Sequence, residues 1–273
     1  MVRSILLLSV VGLAATIVSA EPPKAEQPPA AATAAAQPPA NPNAKPVPDM
    51  PVVKKTELAD GIVAEDMKIG EGAEVKAGGA VVAHYHGTLK EGGKIFDSSY
   101  ARGEPVAFPL AGVIPGWQKG VPGMKVGGIR KLTIPAAQGY GAQGAGPDIP
   151  PNSDLVFIIE LVDALQITDD KVGEGAAAEM QCVAVTACVV KDAEGKAVEK
   201  SDAANPYIWI PGELQGVTFG LEGMKVGGKR TIKIPKEFNP PIPGLETKRP
   251  SGVPLTVELE LIAVRNLPGG RRR

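Results

Sequence analysis

The stretch "GVPGMKVGGIRKLTIP", Gly120 to Pro135, returns one hundred residues later as "GLEGMKVGGKRTIKIP", Gly220 to Pro235, with ten of sixteen positions identical. "LVFIIELVDA" from Leu155 returns as "LTVELELIAV" from Leu255 at the same spacing, and "IGEGAEV" near Ile69 returns as "VGEGAAA" near Val172. A period that long, seen twice, means two tandem copies of one domain and not a solenoid, whose units are shorter. At 273 residues the chain has room for two modest cores. The boundary is expected near Leu165, giving copies at 53–165 and 166–267.

Within each copy the segments read as strands. "AVVAHYHGTL" and "IRKLTIP" carry apolar and β-branched residues in partial alternation, and "LVFIIELVDA" has the character of a well-buried strand. Gly127-Gly128 and Gly227-Gly228 mark tight turns. Only "PGWQKGV" in the first copy has a helical pattern, with Pro115 suited to a first turn. The sum is α+β: an antiparallel sheet packed on one short helix.

The flanks read differently. "MVRSILLLSVVGLAATIVSA" has an early cation, Arg3, an apolar run from Ile5 to Val18 and a small-residue ending, the layout of a signal peptide over residues 1–20 with cleavage after Ala20. The run falls short of the ~20 apolar residues a membrane span needs, and no other stretch is a candidate. The mature protein is therefore expected to be exported, periplasmic or secreted, with no membrane span. Residues 21–52 are dominated by alanine and proline and hold no aromatics. They are expected to form a disordered tether with a reach of up to roughly 100 Å at ~3.1 Å per residue. Residues 268–273, ending "GGRRR", are expected to be a disordered tail.

Charge and cysteine usage exclude several classes. The net charge is −1 and the pI about 6.2, so a nucleic-acid partner has no electrostatic support. Cys182 and Cys188, on one predicted strand, would sit roughly 20 Å apart at ~3.3 Å per residue, too far for a disulfide, and read as free buried thiols. His84 and His86 share a strand face, but two ligands without a third make a poor metal site. No cofactor and no metal are expected.

One carboxylate is out of place. Asp97 follows Phe96 directly, in a stretch with Val106, Phe108, Val113, Ile114 and Trp117. A charge among apolar groups costs free energy unless it has a partner. Locally, Asp97 before Ser98-Ser99 could also serve as a turn cap.

"VVAHYHGTL", "GGKIFDSS", "VIPGWQKGVPGMKVGG", "LTIPAAQGYG" and "IPPNSDLVFIIELVDA" occur in that order across about 110 residues. Together they resemble the FKBP family, the macrolide-binding peptidyl-prolyl cis–trans isomerases. The resemblance implies two tandem FKBP-like domains, each a curved antiparallel sheet wrapped around a short helix, with a shallow apolar pocket between sheet and helix. It implies Asp97, Tyr140, Phe96 and Trp117 as catalytic residues, and Tyr85, Arg102, Phe108, Val113, Ile114, Ile149 and Phe157 as substrate-binding residues. Trp117 would form the pocket floor, the Ile114 N–H and the Tyr140 hydroxyl would donate to substrate carbonyls, and Asp97 would pair with Arg102 or Tyr85. Substrates would be proline-containing unfolded chains or peptides, and macrolides would be inhibitors. Val106 and Ala145 stand where the best-known single-domain members carry an aromatic and a histidine.

The second copy departs further. The phenylalanine–aspartate pair becomes Val198-Glu199, the tryptophan becomes Val217, and "FNPPIPG" holds no tyrosine. Seven of the chain's eleven aromatic residues lie in the first copy, so the second is read as a degenerate domain that has lost the pocket. The competing reading is a non-catalytic chaperone or partner-binding protein built from two such modules. A fragment from Gln166 to Asn266 is expected to fold without catalysing proline isomerisation in a protease-coupled assay; turnover by that fragment would refute the reading.

Overall fold

A computed structural model describes residues 41–241 and 249–267. The predicted leader, residues 21–40 of the tether and the predicted tail at 268–273 lie outside the described residues. The first module contains β1 (Lys54–Glu57), β2 (Val63–Lys68), β3 (Ala80–Leu89), β4 (Ile95–Ser98), α1 (Ser99–Arg102), β5 (Val106–Pro109), α2 (Pro115–Gly120), β6 (Ile129–Ile134) and β7 (Leu155–Ala164). The second contains β8 (Gln166–Lys171), β9 (Cys182–Lys191), β10 (Ala197–Lys200), β11 (Tyr207–Trp209), α3 (Gln215–Gly220), β12 (Lys229–Ile234) and β13 (Leu255–Asn266). The first sheet runs β1-β2-β6-β7-β3-β4 with β5 also on β3; the second runs β10-β9-β13-β12-β8 with β11 on β9. Pairings are antiparallel throughout, so β8 to β13 repeat the order of β2 to β7.

Both sheets bend at the same places. A register shift breaks β3–β7 between Val82 and Ala83, and its counterpart breaks β13–β9 between Leu261 and Ala263. Such bulges increase the local twist and bend the strand, which lets a small sheet curl over one helix.

The repeated motif has a physical reason. Gly116 and Gly120 lie on one face of α2, where a Cβ would collide with Ile134 at the first position and come within 2.6 Å of Leu132 at the second. Gly216 and Gly220 meet Ile234 and Ile232 in the same way. The helix therefore packs on its sheet with backbone against side chain. Arg130 of β6 then fixes the helix end. Its Nε donates to Asp66 at 2.6 Å and one terminal nitrogen to the Gly120 carbonyl at 2.8 Å. Arg230 repeats both contacts with Asp169 and Gly220. A cation at a helix C-terminus also opposes the helix dipole.

Leu165 alone separates the two sheets and is buried. It joins the second core together with Ala80 and Val82 of β3, while Ala83 and Tyr85 turn to the first core. Alternation along one strand thus serves two cores. Cys182 and Cys188, both on β9, are buried free thiols. Among the described residues no helix is long and apolar enough to cross a membrane.

Two elements differ from the sequence reading. Helix α1 was not expected, since four residues following a strand carry no period. The end of the Ala/Pro stretch is not free of the module: Asn41 Nδ2 donates to the Arg102 carbonyl at 2.6 Å and the Lys45 N–H to the Tyr100 carbonyl at 3.0 Å. The segment has no core of its own, but it adds donors at the end of α1: the Arg102 carbonyl accepts from Asn41, and the Tyr100 carbonyl, which already accepts from the Gly103 N–H at 3.2 Å, accepts from Lys45 as well.

Gly116→Ala is expected to lower stability by about 1–3 kcal/mol, the usual cost of overpacking a tight contact. The check is the shift in urea midpoint followed through the indole N–H resonance of Trp117.

Candidate active site

Strand β3 delivers Tyr85, β4 delivers Phe96 and Asp97, α1 delivers Arg102 and β5 delivers Phe108. Val113 and Ile114 precede α2, which carries Trp117, while Phe157 comes from β7. Tyr140 and Ile149 come from the segment between β6 and β7, where Ala145 and Ile149 exchange backbone hydrogen bonds at 2.9 and 3.2 Å. The five aromatic rings form one connected set. Trp117 lies 5.9 Å from Tyr85, 5.5 Å from Phe108 and 5.3 Å from Phe157, each edge to face. Phe96 meets Phe157 at 5.4 Å and Phe108 meets Tyr85 at 5.6 Å. Ile149 is buried in this cluster, and Val113, Ile114 and Tyr140 pack against it half-buried. Edge-to-face pairs place positive ring edges on negative faces, so the rings hold one another in place.

The acid has two partners. Arg102 donates to Asp97 Oδ1 at 2.6 Å and to the Tyr85 hydroxyl at 2.7 Å, and that hydroxyl donates to Asp97 Oδ2. The Arg102 guanidinium also lies 5.6 Å from the centre of the Tyr85 ring. Asp97 is only 15% exposed, yet both its oxygens are satisfied. It does not cap a turn: α1 begins after Ser98 with no side-chain cap.

Electrostatics keep the phenols protonated. Burial raises the Tyr85 pKa, and its hydrogen bond to Asp97 adds to the rise. Burial likewise raises Tyr140, helped by the negative charge of Asp97. Burial alone would pull the Arg102 guanidinium down, but the contacts with Asp97 and Tyr85 outweigh it and the net shift is upward. Each group therefore offers a proton as a donor and keeps it. The Ile114 carbonyl accepts from the Trp117 and Gln118 N–H groups at 2.9 and 3.2 Å, while its own N–H has no acceptor among the described residues.

All eleven residues singled out in the sequence thus lie in or against one cluster. His84 and His86 do not join it. His84 stacks on Tyr100 at 4.9 Å and contacts Ser99 and Lys45, and His86 contacts Ser98. Both rings have lowered pKa values, His84 through burial and then the Lys45 charge, His86 through burial. Among the described residues no group of acids, histidines and cysteines is arranged to hold a metal.

Two supporting residues escaped the sequence reading. At Gly87 a Cβ would stand 2.6 Å from the Phe96 ring and 3.0 Å from that of Phe157, so only glycine lets these rings close over the strand. Ser99, fully buried, accepts from the Tyr85 N–H at 2.7 Å and donates to the Tyr85 carbonyl at 3.3 Å, which fixes that residue's backbone. A glycine in a strand next to an aromatic-rich segment was the signal for the first; nothing marked the second.

Comparison with known proteins gives this geometry its context. Residues 71–162, within the first module, match the family model described as FKBP-type peptidyl-prolyl cis-trans isomerase. The chain is 48% identical over 120 residues to the "Probable FK506-binding protein" of Corynebacterium glutamicum, covering 44% of this chain and 98% of that one. It is 48% identical over 104 residues to the "FK506-binding protein" of Neisseria meningitidis, covering 37% of this chain and 94% of the relative. Over 103 residues it is 50% identical to the "FKBP-type peptidyl-prolyl cis-trans isomerase FkpA" of Escherichia coli, spanning 38% of this chain and 37% of that relative. The chain belongs to the FKBP-type peptidyl-prolyl cis–trans isomerases. Its architecture is that of two FKBP-like modules in tandem, the second lying beyond the matched residues.

Proposed function

We propose that the aromatic cluster around Asp97 is where this isomerase turns X–Pro bonds, in polypeptides folding outside the cytoplasm. The observation that carries the reading is the ring of Tyr85, Phe96, Phe108, Trp117 and Phe157 beside a fully paired carboxylate. Rotation about an X–Pro bond is opposed by amide resonance, with a barrier of ~18–20 kcal/mol. The planar amide is the more polar form, and the twisted one has lost its charge separation. A dry aromatic wall therefore disfavours planar relative to twisted, and a differential of about 5–6 kcal/mol corresponds to roughly 10⁴-fold acceleration. Proline suits this because its cis and trans forms lie within about 1 kcal/mol.

The roles divide as follows. Trp117 carries the prolyl ring, and Phe96, Phe108 and Phe157 wall it. The Ile114 N–H and the Tyr140 hydroxyl hold the flanking carbonyls, and Asp97, fixed by Arg102 and Tyr85, faces the imide. Val113 and Ile149 complete the apolar lining. Macrolide inhibitors would compete for the same surface. Export is supported by the leader pattern at residues 1–20, followed by the Ala/Pro-rich stretch at 21–52 ahead of modules at 53–165 and 166–267.

Asp97→Leu and Phe96→Tyr in the full chain are each expected to lower isomerisation of a proline tetrapeptide by tenfold or more, about 1.4 kcal/mol of lost transition-state stabilisation, with the fold retained. A protease-coupled assay paired with circular dichroism checks this. Unchanged rates in both variants would remove these residues from the mechanism.

A further inference from the structure

The second module carries a different set of groups at the place the aromatic cluster occupies in the first. Glu199 stands opposite Val190 in the β9–β10 ladder as Asp97 stands opposite Gly87. Trp209 faces Ala184 as Phe108 faces Val81, and Tyr207 faces Thr186 as Val106 faces Ala83. Val217 holds the position in α3 that Trp117 holds in α2.

Arg249, ahead of β13, reaches into this setting. Its guanidinium donates to Glu199 at 2.5 Å, to Glu213 at 2.5 Å and to the Tyr207 hydroxyl at 3.1 Å. It lies 4.8 Å from the Trp209 ring centre and 5.4 Å from that of Tyr207. The receiving groups are themselves braced. Trp209 Nε1 donates to Thr186 Oγ1 at 2.9 Å, and the Tyr207 hydroxyl donates to Glu213. The Arg249 side chain is 3% exposed, Glu213 8% and Glu199 17%.

These are the groups a guanidinium needs and an ammonium does not. Two carboxylates match its planar fork, and aromatic rings lie within reach of its delocalised charge. A chain that had only to fill the space would be served at least as well by apolar side chains, because buried ion pairs are seldom more stabilising than hydrophobic packing.

We propose that the second module is a receptor for a peptide arginine side chain, with Arg249 seated in it as the chain's own ligand. A client arginine competes with Arg249 for the same carboxylates and rings, so the apparent affinity of the intact chain is reduced by the fraction of molecules in which the site is filled. The inference is independent of the isomerase reading, since it uses no residue of the first module.

The test uses the full chain and its Arg249→Ala variant, titrated with a short peptide bearing one arginine and with its lysine twin. Binding is followed through the indole N–H resonance of Trp209. Arg249→Ala is expected to bind the arginine peptide at least tenfold more tightly than the unaltered chain, and the lysine twin is expected to show no such gain. Should the alanine variant loosen the module, Arg249→Met keeps the aliphatic stem, and N-acetyl-arginine amide is expected to raise the melting temperature of either variant. Equal binding of the two peptides, no gain over the unaltered chain, or no stabilisation by the arginine amide would each overturn the proposal.

Discussion

Everything in each module is arranged around one close approach: a single-turn-and-a-half helix set on its sheet with no side chain between. Gly116 and Gly120 remove the Cβ atoms that would hold α2 away from Ile134 and Leu132, and Arg130 ties the helix end to Asp66. Because the helix cannot shift outward without opening this contact, Trp117 is fixed on its adjacent face, within edge-to-face distance of Tyr85, Phe108 and Phe157. The other rings and the Asp97–Arg102–Tyr85 triad are then positioned by strands that share the same curvature. The position of the site follows from packing that the repeated motif encodes.

The two modules separate scaffold from chemistry. Glycines, the arginine cap and the bulges recur, whereas the groups facing the helix do not. In the first module a carboxylate on β4 is held by an arginine five residues away, beside a tryptophan that stays available to the cluster. In the second, the acid at the same ladder position is engaged by an arginine fifty residues away. Burial and the hydrogen bond to Glu213 push the Tyr207 hydroxyl up to about 12, so it too remains a donor. One backbone thus supports an apolar aromatic set and an acidic, cation-filled one.

Much of this was legible in the sequence, for stated reasons. The hundred-residue repeat carries both sheets, and Pro115 with its following residues marks α2. Asp97 announced itself as a charge in an apolar run. Other features depend on distances that no local pattern records. Gly87 matters only because two rings pass over it, and Ser99 only because a buried strand N–H meets its hydroxyl. The docking of Asn41 and Lys45 depends on carbonyls sixty-one and fifty-five positions away. The second module's cluster joins Glu199, Tyr207, Glu213 and Arg249; the sequence marked Glu199 as the counterpart of Asp97 but gave no sign of the other three.

The central claim is that a prolyl ring enters beside Trp117 and finds no equivalent place in the second module. The chain has two tryptophans, one in each cluster, so their indole N–H resonances report the modules separately. Titration of the full chain with a proline tetrapeptide should move the Trp117 resonance saturably and leave that of Trp209 in place. A Trp117 resonance that stays still while the peptide is being isomerised would contradict the account.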